Sequence, residues 1–235
     1  MVPAGAAVDP VPLAETLSAY NDAFPAVRLV GSLRFPEEGT VDFGARAERG
    51  VGVRIDAVSG PGKLAFSVAC REAEGCSVYL PDSALFLRDD AAVAGRWLAS
   101  LVSGRVMEAG PVVGAWRSPL GALVLRLASA RHWQTVEFDP EGRLPRRVLY
   151  GKTGGGPEVE IFLDDFRMEE GGVFPHAVRV AGERKGEGME FSVRKVLPDG
   201  GSDPAVFTIS PPPGIEVREG GGGRLWRELG VPLVD

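Results

Sequence analysis

Residues that do chemistry are scarce in this sequence. Among 235 residues it has two histidines, two cysteines and three tyrosines. His132 and His176 stand alone in strand-like stretches, where they read as partly exposed sheet residues with no catalytic role. There is no HExxH, no GxSxG and no metal-spaced set of Cys and His, which argues against the common hydrolase and zinc motifs. GKTGGG at 151–156 contains the Gly-Lys-Thr of a phosphate loop. The glycine such a loop needs upstream is Arg146, and Gly-Gly-Gly-Pro follows where a helix should start, so the stretch reads as a hairpin turn. The paired acids Asp164 and Asp165 would point to opposite faces of a strand and not converge. The reading is a protein without enzymatic activity or cofactor.

Long hydrophobic runs are missing too, since nothing approaches the roughly 18 to 20 apolar residues of a membrane span. A net charge of -6 argues against nucleic acid as a partner. The start, MVPAGAAVDPVP, lacks the basic end and apolar middle of a signal peptide. Its small, Pro-rich character reads as the mature end of an exported chain, with the leader, and any lipidated cysteine anchoring it to the outer membrane, removed.

What is present is strand after strand. Gly 32 and Pro 19 supply many turns, and alternating apolar stretches recur at the spacing of an antiparallel meander, about eleven in number. Pro12 to Phe24 reads as a short amphipathic helix, with Leu13, Leu17, Tyr20 and Phe24 on one side. VMEAGPVVGAW (Val106 to Trp116) reads as a short helix or irregular segment. Residues 1–11 read as a flexible start, 12–218 as a single domain, and 219–235 as a flexible Gly-rich tail. A sheet this wide has to curl or be covered. The expected architecture is mainly β: a half-open antiparallel barrel with helices across its concave face.

The central helix is DDAAVAGRWLASLVSGR, Asp89 to Arg105, with an Asp at its start and Gly104 as its stop. Val93, Trp97 and Leu101 recur every four residues beside Leu98, while the other face is mostly Ala and Gly. A helix apolar or small nearly all round is covered on both sides. Two readings stay open: a core plug, or a lid over an apolar ligand cavity. The cavity reading adds Phe66, Val68, Tyr79, Phe86, Trp116, Trp133, Phe138 and Phe162 as inward-facing lining. Cys70 and Cys76 flank a short loop between alternating runs and read as a disulfide clipping a hairpin, which points to an oxidising compartment.

The order of elements resembles the LolA/LolB-like lipoprotein-localisation superfamily. A helix leads into VRLVGSLRF, followed by GVGVRIDAVSGPGKLAF, a CSVYLPDSALFLRD hairpin, a helix at WLASLVSG, strands resuming after WRSPLG, and a late FTISPPPGIEV. The resemblance spans roughly Leu13 to Val217. It implies a periplasmic carrier or receptor that shelters lipid or lipoprotein acyl chains, with peripheral membrane contact and envelope proteins as further partners. The alternative is a docking module of an envelope complex with a filled core, in which Trp97, Trp116 and Trp133 pack the barrel solid. The resemblance also implies a protruding loop with an exposed Leu, but the turn Gly60-Pro61-Gly62-Lys63 is short and polar. For a lid-closing arginine it offers Arg34 and Arg46 as candidates.

Overall fold

The computed structural model describes residues 5–36, 39–90, 92–182, 188–201 and 203–220, except for the side chains of Ala92, Val93 and Pro198. The predicted tail beyond Gly220 lies outside the described residues, as does the side chain of Val93.

The described residues form one continuous sheet. Its strands are β1 (Ala6–Ala7), β2 (Ala26–Phe35), β3 (Gly39–Glu48), β4 (Gly52–Ser59), β5 (Lys63–Arg71), β6 (Gly75–Leu80), β7 (Leu85–Asp89), β8 (Val112–Arg117), β9 (Leu123–Ala128), β10 (His132–Phe138), β11 (Pro145–Lys152), β12 (Pro157–Glu169), β13 (Gly172–Ala181), β14 (Gly188–Pro198) and β15 (Glu216–Glu219). Helices α1 (Val11–Asp22) and α2 (Ala92–Val102) precede β2 and β8. The spatial order is β1-β8-β9-β10-β11-β12-β13-β14-β2-β3-β4-β5-β6-β7-β15. Two antiparallel meanders, β2 to β7 and β8 to β14, are therefore joined where β14 returns to pair with β2. The outer edges, β1 on β8 and β15 in parallel on β7, do not meet, so the curled sheet stays half open.

The strand count of fifteen exceeds the eleven read from the sequence for local reasons. VVGAWR is strand β8, not helix; Gly110-Pro111 before it breaks the alternation that marks a strand. VFTIS is not a strand, because Pro204–Phe207 turns as a short 3-10 helix capped by the Asp203 side chain. The chain there crosses the sheet's convex face before adding β15 to the β7 edge.

Alternation divides each strand between two faces. The concave face carries the core: Val27, Leu29 and Leu33 on β2, Phe43, Ala45 and Ala47 on β3, Val53 and Ile55 on β4, and Val68 and Cys70 on β5. The other meander contributes Leu125, Val136, Val148, Ile161, Phe174, Val178 and Phe191. One position would break this pattern. Asp165 takes a positive φ of 48° and is left out of the β12–β13 ladder. The register resumes unchanged at Phe166–Pro175, and Phe166 packs partly buried against the core.

The disulfide forms between Cys70 and Cys76, opposite each other at the β5–β6 turn. α2 packs directly on it, with a Cβ built at Gly95 falling 3.1 Å from the Cys70 Cβ. Replacing both cysteines by alanine is expected to lower stability by about 2 kcal/mol, the loop-closure value for so short a loop. Urea titration followed by far-UV circular dichroism measures this, and an unchanged midpoint would show that the strand ladder alone holds the hairpin.

Candidate ligand-binding face and its polar latch

α2 lies across the concave face over β3, β4, β5 and β6. Ala94, Trp97, Leu98, Ala99, Leu101 and Val102 are all buried, while Arg96 reaches solvent. Gly104, in the left-handed region at φ 65°, ends the helix as its sequence predicts. α1 buries Leu13 and Leu17 in the same core. At the end of the face remote from the disulfide, Phe35, Val41, Phe66, Leu80 and Leu85 are only partly buried and form an apolar rim. Phe35 and Phe66 meet there edge to face at 6.1 Å.

The lining residues expected from sequence separate into two groups. Trp97, Leu98, Leu101, Val68 and Phe138 sit in the concave core, and Phe66 lies on its rim. Tyr79, Phe86, Trp116, Trp133 and Phe162 belong to the opposite, convex face, and the register explains why. Tyr79 pairs with Phe86, between the inward pairs Val78–Leu87 and Leu80–Leu85. Phe86 is wholly buried, yet beneath Arg88 in a strand flanked by β15, and not under α2. Trp116 is opposite Val124 and lies against Gly5. Trp133 is out of phase with Val136 and Phe138 and lies beneath Arg126. Phe162 sits between the guanidiniums of Arg147 and Arg179, at 5.8 and 4.1 Å. Two of the three tryptophans that would pack the barrel solid are thus outside it. Arg34 and Arg46, the candidates for a lid-closing arginine, also lie on the convex strand positions, across from Glu190 and Arg54.

A polar latch fastens the segment that follows α2. The segment from Gly104 to Ala109, between α2 and β8, crosses the concave side of β10 and β11, and four side chains hold its backbone. The Tyr20 hydroxyl donates to the Gly104 carbonyl at 2.5 Å. Asn21 donates to the Val106 carbonyl at 3.0 Å and accepts from the Val106 N–H at 2.9 Å. Tyr150 donates to the Met107 carbonyl at 2.6 Å, and Gln134, fully buried, accepts from the Ala109 N–H at 2.8 Å. The Gln134 amide then donates to the Tyr150 oxygen at 3.0 Å, joining the two. Burial pushes both phenols well above the ordinary tyrosine range, so both remain donors. Gln134 and Asn21 escaped the sequence reading. The one signal for Gln134 was a polar residue in the inward register of Val136 and Phe138.

Two further polar groups lie in the core. The Trp97 indole N–H has no acceptor among the described residues. His176, expected to be partly exposed, is 3% exposed. Its ring nitrogens lie 2.8 Å from the Val193 carbonyl and 2.7 Å from the Glu169 carboxylate. Glu169 reaches this ring from β12 and is itself only partly buried.

No family profile matches this chain, and no curated relative does at the level of sequence. Solved structures do. A domain named for outer membrane lipoprotein sorting, from Vibrio parahaemolyticus, matches 84% of this chain and 95% of its own, at 12% identity and a TM-score of 0.58. A DUF1329 family protein from Desulfovibrio piger matches 86% and 98%, at 14% identity and a TM-score of 0.58. A LolA superfamily protein from Nitrosomonas europaea matches 86% and 99%, at 10% identity and a TM-score of 0.53. At these identities the likeness concerns the fold, which is LolA/LolB-like.

Proposed function

We propose that this chain is a non-enzymatic carrier or receptor of the bacterial periplasm that shelters acyl chains of a lipid or lipoprotein against its concave face. The observation that carries the reading is that the concave apolar face is covered by elements outside the sheet. The cover is α2, packed by buried apolar side chains, and a strap fastened by side-chain hydrogen bonds, beside a half-buried apolar rim. Hydrophobic burial rewards such a face for accepting alkyl chains, at about 0.8 kcal/mol per methylene. The orphaned Trp97 N–H offers a donor for the ester or amide carbonyl at the head of an acyl chain. Lipoprotein sorting, in the name of one structural neighbour, and the LolA superfamily, in that of another, fit the same cargo. Among the described residues no helix is long and apolar enough to cross a membrane; on this reading, contact with the envelope is peripheral.

Native mass spectrometry of gently purified protein, followed by lipid extraction, tests the reading. Acyl lipid at about one molecule per chain is the expected result. A clean unliganded mass that persists after incubation with envelope lipids would overturn it and favour a docking module whose core α2 fills permanently.

A further inference from the structure

We infer that the convex face carries a second, separate binding site, an arginine-lined cleft that takes a phosphate group. It lies on the opposite side of the sheet from the proposed acyl site and does not depend on it. Arg28 on β2, Arg46 on β3 and Arg54 on β4 are direct cross-strand partners, so three guanidiniums stand in one row. Like charges placed opposite each other on a sheet destabilise it unless something neutralises them. Two carboxylates do so in part. Asp199 Oδ2 lies 3.5 Å from Arg28 and 4.0 Å from Arg46, and Asp56 pairs with Arg54 at 2.9 Å. Lys195, on the same face opposite Val30, adds a fourth cation at the margin, and Glu48, two residues along β3 from Arg46, a further carboxylate.

The row is also shaped to receive something. Arg28, Arg46, Arg54 and the paired Asp56 line a cleft of about 420 Å³ with Val30, Gly44 and Leu197. Gly44 forms its floor. It lies in mid-strand without the positive φ that would require a glycine, and a Cβ built on it meets nothing within 4 Å. A glycine in a strand interior costs stability, and one of its uses is to let a ligand approach the backbone closely. Beyond the Arg54–Asp56 pair the groove continues into a second cleft of about 320 Å³, lined by Ser67, Tyr79, Thr208 and Ser210. Its walls therefore combine guanidinium forks, which match phosphate oxygens in pairs, with hydroxyls, a small apolar floor and the Asp56 carboxylate, which Arg54 and the Ser67 hydroxyl hold. A phosphate, free or carried on a lipid headgroup, has the charge and the geometry for it.

The test uses the full chain and two probes: inorganic phosphate by titration calorimetry, and vesicles of phosphatidylcholine with or without phosphatidylglycerol by co-sedimentation. Arg46→Ala removes the centre of the row, Gly44→Phe fills the floor and keeps every charge, and Arg126→Ala removes an equal charge elsewhere on the convex face. Either source of phosphate supports the site if Arg46→Ala weakens binding about tenfold, Gly44→Phe abolishes it and Arg126→Ala leaves it unchanged. A response confined to phosphatidylglycerol vesicles identifies a headgroup, and a response to inorganic phosphate alone identifies the free ion. Far-UV circular dichroism reports whether Arg46→Ala folds; if it does not, Gly44→Phe decides. Binding by neither probe, binding indifferent to Arg46→Ala and Gly44→Phe, or binding of polyglutamate in place of phosphate would each overturn the proposal.

Discussion

Trp97→Ala is expected to lower global stability by about 3–5 kcal/mol, the largest effect of any single substitution considered for this protein. Trp97 is 1% exposed and stands where α2 meets the sheet, so its removal leaves a void that neighbours fastened into strands cannot fill. Trp97→Phe separates volume from polarity. It keeps a ring in the site and removes an N–H that has no acceptor, so the expected loss is under about 2 kcal/mol. Urea titrations of both variants by circular dichroism measure the difference. Equal losses for Phe and Ala would show that the indole N–H is in fact satisfied on folding. If the acyl-carrier reading holds, Trp97→Phe retains less lipid than the unmodified protein despite its near-native stability, because the donor for the acyl carbonyl has gone.

How much of this was legible in the sequence depends on whether the signal was local. α2 could be read because its burial on nearly all sides is written in its own composition, and Gly104 marks its end. The disulfide hairpin could be read because two alternating runs flank it. The large aromatics read as inward-facing lining, but the size of a side chain does not determine its face. HWQTVEF places Trp133 out of phase with Val136 and Phe138, and LFLRD places Phe86 out of phase with Leu85 and Leu87, so the parity was present and outweighed by bulk. A convex face that buries aromatics under arginines defeats the rule that a large apolar residue points to the core. The latch was beyond reach for another reason. Tyr20 meets Gly104 across 84 residues and Asn21 meets Val106 across 85, and no periodicity encodes contacts of that range.

Releasing the latch is the second large effect. Tyr150→Phe leaves the Met107 carbonyl and the Gln134 amide without the hydroxyl they share, and Gln134→Leu leaves the Ala109 N–H without its acceptor. Each single variant is expected to lose about 2 kcal/mol, the cost of stranding buried polar groups. The double variant should lose less than the sum, because the two side chains form one network. The loss should also be concentrated locally: amide hydrogen exchange across residues 104–109 should quicken well before the β2–β5 core responds. Alkaline pH offers a route without mutation. Both folded phenols keep their protons above the ordinary tyrosine value of about 10, while the unfolded chain ionises there. The folded state then binds more protons, so the contribution of Tyr20 and Tyr150 is fully present below that pH and declines as pH rises through it. Tyr150→Phe should flatten that decline. If the strap is the movable cover of the acyl site, the double variant should load and release a fluorescent fatty acid faster with little change in affinity. Unchanged exchange at 104–109 and unchanged loading rates would mean that α2, not these hydrogen bonds, holds the cover down.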